Sequence, residues 1–372
     1  MPLLKIKILI SGGGTGGHIF PAIAIANALK EKLDDPEILF VGAKGRMEMT
    51  RVPEAGYPIE GIWISGLQRK LTLRNLLFPL KLISSLISVG RIIRRFKPDI
   101  AIGVGGYASG PALRVAAGKG IKTLIQEQNS YPGITNKLLA ARASRICVAY
   151  EGMEKYFPGE KIVITGNPVR ANVIDIKGKK EEAIRYFDLD QTKKTLLIVG
   201  GSQGALSINK SISGFLKDFE EQGLQLIWQT GPGYFTVAKE LITASGLKNI
   251  KPHSFITKMD LAYATADMVV SRAGAIAIAE LCAVGKPAIF IPLPSAAEDH
   301  QTKNALALVE KKAAILINDR EAPLQLGNAV SELLKDETQC RSLSTNIRKL
   351  AHRDASSKIA EEVIKLIKNV NG

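Results

Sequence analysis

One local design occurs twice in this chain. Ile6-Lys7-Ile8-Leu9-Ile10 is an apolar strand that runs into Ser11-Gly12-Gly13-Gly14-Thr15-Gly16-Gly17-His18. Thr195-Leu196-Leu197-Ile198-Val199 runs in the same way into Gly200-Gly201-Ser202-Gln203-Gly204. A buried strand, a glycine turn and a helix together open a parallel sheet covered by helices on both faces. Further short apolar strands are expected at residues 38–41, 100–104, 123–125 and 146–148 after the first opening. After the second they are expected at 226–229, 268–271 and 288–291. Strands alternating with helical stretches predict an α/β chain of two doubly wound domains in tandem. A length of 372 residues accommodates both. The first helix is expected from about Pro21 to Leu33. Gly166-Asn167-Pro168 interrupts regular structure at the join. The expected domains are therefore 1–165 and 166–350. A terminal segment, 351–372, carries Ile359, Val363, Ile364 and Ile367 at helical spacing, and its helix is expected to pack back across the domains.

In such sheets ligands bind beyond the carboxyl ends of the strands, where loops enter helices. The first glycine loop has the spacing Gly12-x-Gly14-x-x-Gly17 of a dinucleotide fingerprint. That reading also needs an acid at the end of the second strand, and after Val41 none comes until Glu48. A Walker A reading fails because no Gly-Lys-Ser/Thr follows. A second loop, Gly103-Val104-Gly105-Gly106-Tyr107-Ala108-Ser109-Gly110-Pro111, is either a tight strand-to-helix turn or half of an anion pocket. Backbone N–H groups of Gly14, Gly105 and Gly106, with Tyr107 and Ser109, would suit a diphosphate. In the second half, Ser271-Arg272-Ala273-Gly274 leads into a helix carrying Glu280. A carboxylate there either holds a ribose or belongs to a solvated face. His18 follows a glycine loop whose dipoles lower an imidazole pKa, which makes it a candidate general base. His253, His300 and His352 form no metal-ligand spacing, so no metal and no cofactor are expected.

Charge narrows the partners. The formal net charge is +15, and residues 1–165 hold 23 Lys and Arg against 12 Asp and Glu. Such a surface favours a polyanion. A chain that is 46% hydrophobic and 23% charged can bury a core, which excludes disordered and fibrous classes. Cys147, Cys282 and Cys340 are odd in number and widely spaced, so neither a disulfide framework nor a zinc ribbon is expected. Leu3 to Ile10 carries Lys5 and Lys7 and does not read as a signal peptide.

The glycine loops belong to a longer ordered set. It runs through Gly13-Gly14-Thr15-Gly16-Gly17-His18 with Pro21-Ala22, Gly105-Gly106-Tyr107-Ala108-Ser109-Gly110-Pro111, and Glu127-Gln128-Asn129 with Thr135-Asn136-Lys137. It continues through Gly166-Asn167-Pro168-Val169-Arg170, Gly200-Gly201-Ser202-Gln203-Gly204-Ala205, Ser271-Arg272-Ala273-Gly274 with Glu280, and Asp299-His300-Gln301 with Asn304-Ala305. This set covers almost the whole chain and resembles the MurG family of peptidoglycan glycosyltransferases. The resemblance implies a GT-B fold, two Rossmann-like domains around an interdomain cleft. It implies inverting transfer of N-acetylglucosamine from UDP-N-acetylglucosamine to the lipid-linked acceptor undecaprenyl-diphosphate-N-acetylmuramoyl-pentapeptide (lipid I), giving lipid II. It places the donor against Thr15, Gly16, Gly17, Asn129, Arg170, Ser202, Gln203 and Gln301. The helix start at Ala275, Ile276, Ala277, Ile278 and Ala279 would join them, with Glu280 on the ribose and the backbone of Ile256 on the uracil. The family commonly has His-Glu-Gln-Asn where this chain has Gln126-Glu127-Gln128-Asn129.

A lipid acceptor gives the basic half a use. Residues 61–98 contain no acid and interleave Arg74, Lys81 and other bases with Leu76, Leu77, Phe78 and Leu80. Pro79, Lys81, three serines and Arg91 break the apolar run, so no membrane span is predicted. The run reads either as a helix facing the core or as a peripheral patch for an anionic cytoplasmic membrane surface. The expected location is the cytoplasmic face of the inner membrane, with other cell-wall enzymes as further partners. Two other readings stay open at this point, a different GT-B enzyme such as a glycolipid synthase or a UDP-N-acetylglucosamine epimerase, and a nucleic-acid-binding protein. Aromatics are only 6% and no nucleic-acid motif occurs, so no nucleic-acid partner is expected.

Overall fold

The computed structural model describes residues 5–66 and 77–368. The chain forms two compact units, Met1–Arg170 with Asp354–Gly372, and Ala171–Arg353. Each is built on a sheet whose strand pairs are all parallel among the described residues.

The first sheet contains β1 (Lys7–Ser11), β2 (Glu37–Ala43), β3 (Ile59–Ile62), β4 (Ile100–Gly103), β5 (Lys122–Glu127), β6 (Arg145–Val148) and β7 (Ile162–Ile164). Their order is β3-β2-β1-β4-β5-β6-β7. Ile8 sits opposite Ile38 on one side and Ile100 on the other. Successive strand residues point to opposite faces. Ile8 and Ile10 therefore join one core with Ile25 and Leu29, whereas Leu9 joins another with Val89, Ile93 and Leu113. Apolar runs without alternation are what burial on both faces requires.

The terminal helix, Ala355–Lys368, completes this first unit. Ile359, Val363 and Ile367 enter the core of Ile8 and Ile25. Burial of each is worth about 1.5–3 kcal/mol. Lys32 pairs with Glu361 at 2.9 Å and Arg145 with Glu362 at 3.2 Å. The helix packs on the helix Gly16–Lys32 and on β4 and β5. The first unit also runs past 165. Thr165 N–H donates to the Val148 carbonyl at 3.0 Å, and Asn167 Nδ2 donates to the Gln128 carbonyl at 2.9 Å, which ties the Gly-Asn-Pro turn to β5 and β6.

The second sheet contains β8 (Thr195–Val199), β9 (Gln225–Gln229), β10 (Ile250–His253), β11 (Met268–Ser271), β12 (Ala288–Phe290) and β13 (Ile315–Leu316), in the order β10-β9-β8-β11-β12-β13. Trp228 is wholly buried in its core, and its indole N–H donates to Asn209 Oδ1 at 3.1 Å. Burial pushes the Cys147 and Cys282 thiols up to about 12, so both stay protonated at neutral pH.

Four strands were absent from the sequence expectation: β3, β7, β10 and β13. They are the two edges of each sheet. The first helix begins at Gly16, inside the glycine loop, with Pro21 within it, not at Pro21 as expected. In both sheets the strand order reverses beside the first strand, between β1 and β4 and between β8 and β11. Those crevices are where doubly wound sheets take ligands, and the glycine loops leave from them.

Candidate functional site

In the first unit the loops after β1 and β4 press together. Gly106 has φ +84°, and a Cβ there would overlap the Gly13 carbonyl. Gly105 has φ +92°, and its Cβ would lie 2.7 Å from His18 Cε1 and Nδ1. Only glycine allows this backbone and this seat for the imidazole. Beneath the first loop lies Glu48, fully buried. Its carboxylate accepts the Gly14 N–H at 2.8 Å and the Ala43 N–H at 3.0 Å. The Gly14 N–H, expected on a diphosphate, is donated to this carboxylate. Ser109 opens the helix Ser109–Gly118. It is buried, and its hydroxyl donates to the Ser11 carbonyl at 3.1 Å. Tyr107 is half exposed, with its ring against Gly66.

His18 lies in the first turn of the helix Gly16–Lys32. Its Nδ1 is 3.1 Å from Gln128 Oε1. Burial, rather than loop dipoles, holds its pKa below the usual histidine value. The Glu127 carboxylate, the Gln128 bond, the Val104 carbonyl and Glu48 pull the other way with less effect. The result is an imidazole kept neutral at neutral pH beside acceptors that steady it.

Glu127 organises the next loop. Its Oε1 accepts from Asn129 N at 3.0 Å and Asn129 Nδ2 at 3.1 Å, and its Oε2 from Gly133 N at 3.1 Å and Asn136 Nδ2 at 2.8 Å. Asn129 is thereby held by both its backbone and its side chain. The Arg170 guanidinium stacks on the Phe20 ring, 4.9 Å from the centroid. Thr15 is exposed at the helix start, with Gly16 and Gly17 in the first turn.

The second unit encloses a cavity of about 540 Å³ at its own switch point. Gly200, Gly201 and Gly204 form one wall, Ser271, Arg272, Gly274 and Ala277 another, and Leu293 and Gln301 a third. The helix Ala275–Val284 presents its N-terminus here, with no acid in the first turn. Its dipole favours an anion. Arg272 is a wall strut. It donates to the carbonyls of Ile291 and Pro292 at 3.0 Å each, to Asp319 at 2.5 Å and to Ser207 Oγ at 2.9 Å. Asp319 and Ser207 also line the cavity, and no local sequence signal marked either.

The other expected donor residues surround this cavity to different degrees. Gln301 lines it and fixes its rim by accepting the Leu293 N–H at 2.9 Å. Ser202 and Gln203 are exposed on the glycine loop. Ala275, Ile276, Ile278 and Ala279 belong to the helix whose Ala277 reaches the cavity. Glu280 is buried one turn on and accepts the Tyr263 hydroxyl at 3.0 Å. The Ile256 N–H is donated to Gln229 Oε1 at 2.9 Å, so only the carbonyl of that residue can meet a base.

The basic segment divides by face. In the helix Phe78–Phe96, Ser85, Val89, Ile92, Ile93 and Phe96 are buried. Leu80, Ile83 and Ile87 are more than half exposed and continue into exposed Arg91 and Arg94 on the same stripe. Leu77 and Trp63 are also exposed, with Lys81 Nζ 5.6 Å from the Trp63 ring centre. Arg74 and Leu76 lie outside the described residues. No helix among the described residues is long and apolar enough to cross a membrane.

Comparisons with known proteins give the family. The glycosyltransferase family 28 N-terminal domain matches residues 8–148, and the family 28 C-terminal domain matches residues 195–362. A protein of Parabacteroides distasonis is 54% identical over 363 residues, 98% of this chain and 99% of its own length. It is named UDP-N-acetylglucosamine--N-acetylmuramyl-(pentapeptide) pyrophosphoryl-undecaprenol N-acetylglucosamine transferase. The crystal structure of Acinetobacter baumannii MurG superposes with a TM-score of 0.77 at 27% identity, covering 97% of this chain and 99% of that one. A UDP-N-acetylglucosamine 2-epimerase from Neisseria meningitidis has a TM-score of 0.67 at 15% identity over 97% of this chain and all of that one, a likeness of fold alone.

Proposed function

The chain belongs to glycosyltransferase family 28, and on that premise we propose that it transfers N-acetylglucosamine from UDP-N-acetylglucosamine to undecaprenyl-diphosphate-linked N-acetylmuramoyl-pentapeptide, making lipid II for peptidoglycan. The observation that carries this reading is the match along nearly the full chain to a protein named for that transfer. The second unit takes the nucleotide. Its diphosphate lies against the N-terminus of the helix Ala275–Val284 and the Gly200–Gly204 loop, where backbone N–H groups meet developing negative charge. His18, neutral and seated in the first unit, takes the proton of the acceptor hydroxyl as that oxygen attacks the sugar with inversion. UDP-N-acetylglucosamine labelled in its sugar and a short-chain lipid I analogue, incubated with EDTA present, test the reading. Disaccharide product supports it. A free epimerised sugar, or donor binding with no transfer to the analogue, overturns the acceptor assignment.

Glu280 meets the ribose hydroxyls in this reading. A charged hydrogen bond contributes about 1.5–3 kcal/mol. Glu280→Ala is accordingly expected to weaken UDP-N-acetylglucosamine binding by at least about 10-fold, measured by calorimetry. Unchanged affinity removes Glu280 from the ribose.

The stripe Leu80-Ile83-Ile87 meets the surface of an anionic membrane, with Arg91 and Arg94 on its phosphates. In a parallel sheet this helix starts at the carboxyl end of β3, the same end as the His18 loops, so the apolar tip and the acceptor site share one side of the first unit. Each side chain inserted contributes about 1.5–3 kcal/mol and each base about 1 kcal/mol. Leu80→Asp with Ile83→Asp should lower binding to anionic vesicles by more than about 10-fold in flotation, leaving the melting temperature near wild type. Equal binding to neutral vesicles at any salt concentration would remove the electrostatic part.

A further inference from the structure

We infer that Gln128 holds the His18 imidazole in its Nδ1–H tautomer, leaving Nε2 as the nitrogen that can take a proton, and that Gln126 and Asn167 anchor this lock. The catalytic consequence rests on the base role proposed above; the tautomer does not.

A glutamine amide has one end that accepts and one that donates. A backbone carbonyl can only accept, and Gln128 Nε2 donates to that of Val104 at 2.8 Å. The same nitrogen faces Gln126 Oε1. Gln126 is in turn set by its own Nε2, which donates to Asn167 Oδ1 at 3.2 Å. Asn167 is set by donating Nδ2 to the Gln128 main-chain carbonyl at 2.9 Å, which closes the ring of bonds. All three amides are nearly or wholly buried, so water does not offer them other partners. What remains for His18 Nδ1, at 3.1 Å, is the oxygen of Gln128. Facing an acceptor, Nδ1 carries the hydrogen, and in a neutral ring Nε2 then carries the lone pair.

A histidine side chain free in water prefers the opposite tautomer, so this arrangement has to be imposed. The lock itself does not titrate, because amides and carbonyls keep their hydrogen-bonding sense at every pH where the protein is folded. The charged groups acting on the imidazole among the described residues are Glu127, at the end of β5, and Glu48, from the helix beneath the glycine loop. Both favour the imidazolium that forms when Nε2 accepts a proton.

The test is the ring 1H–15N correlation spectrum of the full chain labelled with 15N-histidine, the His18 signals being those lost in His18→Ala. The expected pattern at neutral pH is Nδ1–H with a bare Nε2; the reverse pattern overturns the lock. In Gln128→Leu the tautomer should move toward Nε2–H, and kcat should fall at least about 10-fold with donor affinity kept. An unmoved tautomer in that variant overturns the proposal. Gln128→Glu serves if the leucine variant does not fold. It keeps an acceptor oxygen and adds a charge that stabilises the imidazolium. The Nδ1–H pattern should therefore persist, and the acid limb of the pH–rate profile should move to higher pH. A limb that stays or moves lower counts against the contact. If the tautomer shifts as expected and kcat does not change, the lock stands and the base assignment to His18 fails.

Discussion

Replacing His18 by alanine is expected to lower kcat by about 10²–10⁴-fold, the usual contribution of a positioned general base. Donor affinity should change little, because the base acts on the acceptor hydroxyl and not on the nucleotide. A parallel loss of donor binding would mean that the substitution disturbed the glycine loop, against which Gly105 seats the ring. The pH dependence follows from burial. The base must be neutral to act, so the rate falls as pH drops through the His18 pKa. That pKa lies below the ordinary value of 6.5, with burial as its largest cause. The acid limb should thus sit below the ordinary histidine range, and the enzyme should keep its rate at mildly acid pH. A limb above 6.5, or near-normal turnover in His18→Ala, would take His18 out of the role.

Glu127→Leu is expected to produce the second large effect, first on stability and then on catalysis. Glu127 is 1% exposed and accepts from both nitrogens of Asn129, from Gly133 N and from Asn136 Nδ2. A leucine of similar size leaves those donors without their acceptor. At about 1 kcal/mol or more for each, the loss is on the order of 4 kcal/mol, a large share of a typical domain's 5–15 kcal/mol. Melting of the first unit should fall clearly, and Asn129 should lose the carboxylate that holds its backbone and side chain. Removing the carboxylate also removes a charge that raises the His18 pKa, so the acid limb of whatever rate remains should move to lower pH. Glu127→Gln keeps one accepting oxygen and should give a smaller loss on both measures. A Glu127→Leu protein with wild-type melting would show that the loop is held by other contacts.

The resemblance carried most of the functional reading, and the family match agrees with it. The residues around the reacting groups were less legible. Glu48 had entered the sequence argument only as an acid placed too late for a dinucleotide site, yet its carboxylate holds Gly14 from 34 positions away. Gln128 and Gln126 sit two apart on and just beyond β5. Their joint role appears only when Val104 and Asn167, from two other loops, come within bonding distance. Arg272 was visible as part of a motif, but its acceptors at Ile291, Pro292 and Asp319 were not.

The split between what local pattern determines and what assembly decides has a simple form in this molecule. Central strands such as Ile8-Leu9-Ile10 and Leu196-Leu197-Ile198 are buried on both faces, so burial alone demands an apolar run, and an apolar run is visible in the sequence. Turns that bring backbone against backbone demand glycine, and glycine is visible too. The edge strands are different. Ile59-Glu60-Gly61-Ile62 and Ile250-Lys251-Pro252-His253 are only partly buried, and their residues carry no distinguishing pattern. They are strands because β2 and β9 offer them a row of unpaired N–H and C=O groups, which exists only once the sheet has formed. The same holds for the direction of the Gln128 amide and for which face of the helix Phe78–Phe96 meets solvent. Both are set by partners distant in sequence, through hydrogen bonds and burial that no window of neighbouring residues contains.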